Sequence, residues 1–396
     1  MDLVGTAPQL TDSDVESVYF RPEHADLRRQ VARFIEREVE PNALAWDEAG
    51  CTPREVLRKM GSLGWLGLRY APEHGGAGAD MIASVVFQEA LSRSTSGGFV
   101  ITVLVHTDMA SPHLANAGSA EQKARWLPAI CRGECITAVA VTEPDAGSDV
   151  AGMRTRAVRD GGHYVLDGTK MFITNGVHAD LYFVAARTEA NARGARGISI
   201  FAVEKGTPGF RVGRALKKQG WLSSDTAELV FEDCRIPAGN LLGEENRGFY
   251  AIMRNFQTER IALGAMAIGH CQTALKLTLD WVMGRRAFGA TLFDMQTIRQ
   301  RLAMLDAKVQ AARAFLYHCA WLVTQGRECV REVSALKALT GELANEVLYA
   351  CQQFHGGMGY MRESAIERLV RDARVLAIGG GATEVMLEEV AKRFNP

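Results

Sequence analysis

The sequence predicts an α+β chain in three consecutive parts: an N-terminal α-helical domain over 1–135, a middle β-barrel or β-sandwich domain over 136–246, and a C-terminal four-helix bundle over 247–396. Two observations predict it. The hydrophobic repeat changes from three-or-four spacing to short apolar runs near Ile136, and it changes back after Gly248. The turn dipeptides Gly161-Gly162, Asp167-Gly168, Asn175-Gly176 and Pro208-Gly209 all fall between those two changes. A length of 396 residues fits the division, since chains this long usually split into two or three domains.

From Asp26 onward Leu27, Val31, Phe34, Ile35 and Val39 recur at helical spacing, and Pro41 stands near that helix's end. The turn Pro72-Glu73-His74-Gly75-Gly76-Ala77-Gly78-Ala79-Asp80 follows. No strand leads into it, so it is a loop between helices and not a dinucleotide fingerprint. Met81 to Leu91 and Phe99 to Ala117 read as further helices. In the middle part Leu181 to Ala186, Gly197 to Val203 and Ala227 to Phe231 are strand candidates. Long helices are predicted at Phe249 to Met283, Met295 to Gln325 and Ser334 to Phe354.

Composition excludes several function classes. With 47% hydrophobic and 23% charged residues and a formal net charge of −1, there is no overall electrostatic case for nucleic acid or a membrane surface. No apolar run reaches membrane-spanning length. The eight cysteines are scattered without zinc-type spacing, the nearest pair being Cys131 and Cys135, so no metal site is expected and reduced thiols are the simplest account. Met1 to Glu16 carries Asp2, Asp12, Asp14 and Glu16 and no apolar or basic leader, which predicts a cytoplasmic protein.

Two features suggest chemistry. The run Ile378-Gly379-Gly380-Gly381-Ala382-Thr383-Glu384-Val385-Met386 opens into an amphipathic segment with Thr383 as candidate helix cap. Such a run serves either as a tight turn or as a loop offering free N–H groups to a ligand. On the preceding long helix Ile252, Phe256, Leu263 and Met266 form one apolar stripe, and Glu259 occupies the missing place between Phe256 and Leu263. Pattern alone fits a glutamate at the stripe's edge held by Arg260 or another cation. It also fits a partly desolvated base with a raised pKa.

Five motifs in order carry a resemblance: Val139-Ala140-Val141-Thr142-Glu143-Pro144-Asp145-Ala146-Gly147-Ser148-Asp149, Lys170-Met171-Phe172-Ile173-Thr174-Asn175-Gly176, Arg285-Arg286-Ala287-Phe288-Gly289, Gln353-Phe354-His355-Gly356-Gly357-Met358-Gly359-Tyr360, and the glycine run. Over nearly its whole length the chain resembles the acyl-CoA dehydrogenase family. The resemblance implies FAD held between the β domain and the C-terminal bundle, in a homotetramer built as a dimer of dimers. It places Val139, Val141, Thr142, Gly147, Ser148, Phe172, Ile173 and Thr174 along the flavin and ribityl chain. Arg285, Phe288, Gln296, Gln353, Gly356 and Gly357 fall to the adenine-diphosphate part, the last three reaching across from a neighbouring subunit. Ala382, Thr383 and Glu384 help seat the cofactor.

The reaction so implied removes an α-proton and a β-hydride from an acyl-CoA, giving a trans-2-enoyl-CoA and passing electrons to an electron-transfer flavoprotein. Many members carry the base as a glutamate two residues after the position of Ile378, and here that residue is Gly380. A subset that includes isovaleryl-CoA and long-chain acyl-CoA dehydrogenases carries it just before an arginine on the first helix of the C-terminal domain. Thr258-Glu259-Arg260 matches that placement. The resemblance thus makes Glu259 catalytic, with Ser148, Gln257, Arg260, Gly379 and Gly380 contacting substrate. Glycines 379 and 380 leave room for branched acyl groups, and long straight chains are equally compatible. Alternative readings are an acyl-CoA oxidase or flavin monooxygenase using oxygen, and a low-turnover DNA-associated flavoprotein.

Overall fold

A computed structural model describes residues 19–189 and 194–394; the acidic stretch Met1 to Glu16 lies outside them. The N-terminal part is helical, with α1 (Pro22–Phe34), α2 (Ala43–Ala49), α3 (Arg54–Ser62), α4 (Met81–Leu91), α5 (Gly97–Leu104), α6 (Ser111–Ala117) and α7 (Ala120–Cys131). α1 starts at Pro22 and not at Asp26, because a proline in the first turn lacks only an N–H that would be unpaired anyway. Helix α4 is buried on every face and is capped by Asp80, whose Oδ1 accepts from the Ala83 amide at 2.9 Å.

The helix predicted over Phe99 to Ala117 is two helices, separated by a π-helical turn at Val105–Ala110. Almost every residue there is buried, so no apolar stripe existed to reveal the slipped register.

The middle part contains β1 (Thr137–Ala140), β2 (Arg156–Asp160), β3 (His163–Thr174), β4 (Leu181–Arg187), β5 (Ile198–Glu204), β6 (Phe210–Ala215), β7 (Thr226–Pro237) and β8 (Leu241–Leu242). Their order is β6-β7-β3-β2-β4-β5-β8, with β1 parallel to β4. A single pairing, Arg156 with Arg187, joins β2 to β4, so the sheet divides into two halves there. The halves pack face to face: Tyr164 on β3 meets Phe201 on β5 at 4.9 Å between ring centroids, and Tyr182 on β4 meets Phe210 on β6 at 4.8 Å. This is the sandwich geometry of two sheets sharing one apolar interior.

The C-terminal part packs α8 (Gly248–Gly284), α9 (Gln296–Thr324), α10 (Val330–His355) and α12 (Thr383–Ala391) as a bundle, with α11 (Ala365–Ala373) against α10. A small hairpin, β9 (Arg286–Ala287) with β10 (Ala290–Thr291), follows α8. α8 lies close to α10 at Gly264, where a Cβ would stand 3.2 Å from Leu336 Cδ2. The cap of α12 is Ala382 and not Thr383 as expected; Thr383 lies inside the helix, and its hydroxyl donates to Glu342 Oε1 at 2.8 Å. No helix among the described residues is long and apolar enough to cross a membrane.

Candidate active site

Helix α8 buries Ile252, Leu263 and Met266, and the interrupted stripe leaves Glu259 half-buried among apolar neighbours. Burial pushes the Glu259 carboxyl up to about 7, against the pull of Arg260 and Lys337. Arg260 forms no ion pair with Glu259 among the described residues; its guanidinium lies 5.6 Å from the Phe256 ring centroid, and its Nε is buried without a partner. One turn before Glu259, the Asn255 amide donates to the carbonyl of Met109 at 2.9 Å, tying α8 to the π-helical turn. His106 in that turn meets the Thr137 amide at the start of β1, at 3.2 Å. The β domain and Glu259 are thus both referenced to one short irregular turn.

The glycine run faces Glu259. Gly380 is exposed with φ +64, and its amide has no acceptor among the described residues. A Cβ built there would overlap Leu263 Cδ1 and stand 3.5 Å from Glu259 Oε1. A side chain at 380 and the carboxylate at 259 therefore converge on the same space. Gly379 donates to the carbonyl of Val375 at 2.8 Å, which makes it part of the turn's own framework. On the run's flank Ile378, Ala382, Thr383 and Glu384 join Glu342, Asn345 and Arg374 around an open cleft of about 520 Å³.

In the β domain two motifs come together through a buried ion pair. Lys170 Nζ donates to Glu143 Oε1 at 2.8 Å and to the carbonyl of Val141 at 3.0 Å, and the Met171 amide donates to the Thr142 carbonyl at 2.9 Å. Glu143 also accepts from the Arg154 and Thr155 amides. Val139 to Ser148 is thereby locked beside Phe172 to Thr174. Phe172 sits at φ +60 and is 66% exposed, and Gly147 and Ser148 are exposed as well. A bulky residue in the left-handed region carries backbone strain, which the locked stretch around it sustains.

Arg285, Phe288, Gln296 and Gln353 to Gly357 cluster at the far end of α8. Trp281 Nε1 donates to the Phe354 carbonyl at 3.1 Å, and its ring stacks on His355. Arg285 and Gln296 are exposed, Phe288 is 98% exposed at φ +53, and Cβ atoms at Gly356 or Gly357 would meet nothing within 4 Å. An exposed guanidinium and open glycine backbone are the donors a pyrophosphate takes, and an exposed ring suits an adenine. The donor set therefore suits a flavin dinucleotide, but Arg285 lies 26 residues past Glu259, about 39 Å along a helix. Gln257 is also apart from Glu259: its Oε1 faces Cys329 Sγ at 3.9 Å, toward the α9–α10 turn.

Sequence reasoning missed Lys337, although a signal existed. Val333, Lys337, Thr340, Ala344, Val347 and Cys351 form the buried face of α10, and a lysine in that stripe is as irregular as Glu259 in its own.

Residues 21–134, 138–234 and 246–394 match the N-terminal, middle and C-terminal domains described for acyl-CoA dehydrogenases. The chain is 42% identical over 392 residues to the mitochondrial long-chain specific acyl-CoA dehydrogenase of Mus musculus, covering 98% of this chain and 90% of the relative. A solved acyl-CoA dehydrogenase from Geobacillus kaustophilus superposes with a TM-score of 0.93 at 40% identity, covering 96% of this chain and all of the other. A chain from a structure described as the electron transferring flavoprotein of Acidaminococcus fermentans superposes with a TM-score of 0.93 at 34% identity, covering 96% and 99%.

Proposed function

This chain belongs to the acyl-CoA dehydrogenase family and is an FAD-dependent oxidoreductase of acyl-CoA thioesters, and from that premise we propose that Glu259 removes the substrate's α-proton while the Gly380 amide polarises its thioester carbonyl. The observation that carries this reading is the convergence of Glu259 Oε1 on the Cβ position of Gly380 at 3.5 Å. A substrate seated over the exposed glycine turn meets a free N–H and a carboxylate together. The N–H stabilises enolate charge as it develops, and the carboxylate, with its pKa raised to about 7, is matched to proton abstraction near neutrality.

Bound FAD supplies the acceptor for the β-hydride, so that the product is the trans-2-enoyl thioester. Val139, Val141, Thr142, Gly147, Ser148, Phe172, Ile173 and Thr174 would hold its ring end, and Ala382 to Glu384 would support the ribityl chain. Gln353, Gly356 and Gly357 would hold the adenine-diphosphate end of a neighbouring subunit's cofactor, and we assign Arg285, Phe288 and Gln296 there with them, although the resemblance alone put only the first three across the subunit boundary. The separation of about 39 Å along α8 supports that exchange, since one dinucleotide does not span it and also reach Glu259. A homotetramer built as a dimer of dimers, with domains at 1–135, 136–246 and 247–396, completes the reading. Ser148, Gly379, Arg260 and Gln257 are assigned to substrate, Arg260 through its unpartnered buried Nε. We take the acceptor to be an electron-transfer flavoprotein in the cytoplasm.

Anaerobic titration of the purified protein with straight and branched acyl-CoAs tests this function. Flavin bleaching with enoyl-CoA formation is expected; a protein that binds no flavin and no acyl-CoA would contradict it.

A further inference from the structure

Lys337 is a buried cation that the reaction as described does not use. Its side chain is 2% exposed on the face of α10 that packs beneath the glycine run. Gly341, one turn further on, allows that contact, because a Cβ there would stand 2.7 Å from the Leu376 carbonyl oxygen. Lys337 Nζ donates to the carbonyl of Leu376 at 2.6 Å and to that of Gly381 at 3.0 Å. These two carbonyls bracket the turn that carries Gly379 and Gly380. One ammonium thus closes the turn from below, and a Cβ at Gly380, within that turn, would stand 3.5 Å from Glu259 Oε1.

A lysine is costly at such a place. An apolar side chain would fill the α10 stripe without desolvating a charge, so packing alone does not explain the residue. Its two hydrogen bonds fix the orientation, while its surroundings on balance oppose the charge. Burial and then Arg260 lower the Lys337 pKa to about 8, while Glu259 and Glu342 oppose them. Glu259 in turn feels Arg260 and Lys337, and Arg260 also feels Glu389 on α12. The charged groups facing the pair are therefore Arg260, Glu342 and, through Arg260, Glu389.

We propose that Lys337 is a positioning residue for the dehydrogenation: clamped to the carbonyls of Leu376 and Gly381, it fixes the turn that presents the Gly380 amide and supplies positive charge that favours an ionised Glu259. The proposal rests on Glu259 being the base. It separates two effects. Loss of the charge moves the acid limb of the rate profile, and loss of the clamp lowers the plateau reached when the base is ionised.

Lys337→Met keeps the stem's volume and removes both the charge and the hydrogen bonds. The readout is the pH dependence of anaerobic flavin reduction by an acyl-CoA, with FAD content and Tm measured alongside. The acid limb is expected to move up by about one pH unit, and reduction at pH 7 to slow by about tenfold. A limb and a plateau both matching the unsubstituted protein would overturn the proposal. If Lys337→Met does not accumulate as a flavoprotein, Lys337→Gln carries the same test, as a neutral donor that shifts the limb upward; an unmoved limb overturns the electrostatic role. Glu259→Gln run in parallel separates the two readings. Full reduction in that variant removes the base and this proposal with it, whereas its loss together with normal behaviour of Lys337→Met removes this proposal alone.

Discussion

Glu259 Oε1 lies 3.5 Å from the point where the Cβ of any side chain at position 380 would begin, although the two residues are on separate elements. A glutamate at either position would aim its carboxylate into the same volume. The chain carries the carboxylate on α8 and leaves the turn as bare backbone, with the Gly380 amide without an acceptor among the described residues. The division of labour depends on Gly380 staying a glycine.

Gly380→Ala is the first consequence. At φ +64 an added Cβ is strained, and it would overlap Leu263 Cδ1. The variant is expected to lose about 1–2 kcal/mol of stability by denaturant unfolding. It should also slow acyl-CoA-driven flavin reduction by about tenfold or more, with FAD still bound.

The pH profile is the second. Glu259 must be ionised to accept a proton, and its pKa stands at about 7 in place of the usual carboxylate value. Reduction should rise with pH through that value and fall about tenfold per unit below it. Stability runs the other way. A carboxyl whose folded pKa is raised contributes stability that is fully present below its unfolded pKa and is lost as pH rises through the folded value. Thermal unfolding of the ligand-free protein across that window should show a falling Tm, and Glu259→Gln should flatten it.

The third concerns the buried pair that holds Val141 and Thr142 against β3. Lys170→Met leaves Glu143 desolvated without its cation, a change that typically costs about 3–5 kcal/mol. Because Val141 and Thr142 are registered to β3 through Lys170 and Met171, FAD content after purification should drop with it. An unchanged Tm and full flavin occupancy would show that the strand is held by other means.

Intersubunit sharing gives a fourth. Co-expressed chains carrying Glu259→Gln and Arg285→Glu should recover about a quarter of normal activity under random mixing, since a hybrid pair contains one site with both residues intact. No recovery is expected if each chain completes its own cofactor site.

Much of the fold was legible in the sequence because regular patterns change or break at particular residues. The stripe on α8 exposed Glu259 as the residue out of place, and the change of hydrophobic period marked the β domain. What was not legible is instructive. β3 escaped notice because His163–Thr174 pairs at its centre and mixes buried with half-exposed residues, so it has no clean apolar run. The π-helical turn at Val105–Ala110 lies in a segment apolar on nearly all sides, where periodicity carries no register. Glu143 and Lys170 were visible only as motif letters; that they neutralise each other in the interior required knowing that β1 and β3 lie together. Lys337 broke a stripe as Glu259 did, but a basic residue was not sought where an acid was wanted.

The central claim is that the proton goes to Glu259, and single-turnover mixing of anaerobic Glu259→Gln protein with an acyl-CoA tests it most directly. The amide side chain should leave FAD content and acyl-CoA binding intact while flavin bleaching slows by about 10²–10⁴-fold. Bleaching at the rate of the unsubstituted protein would contradict the assignment and place the base elsewhere.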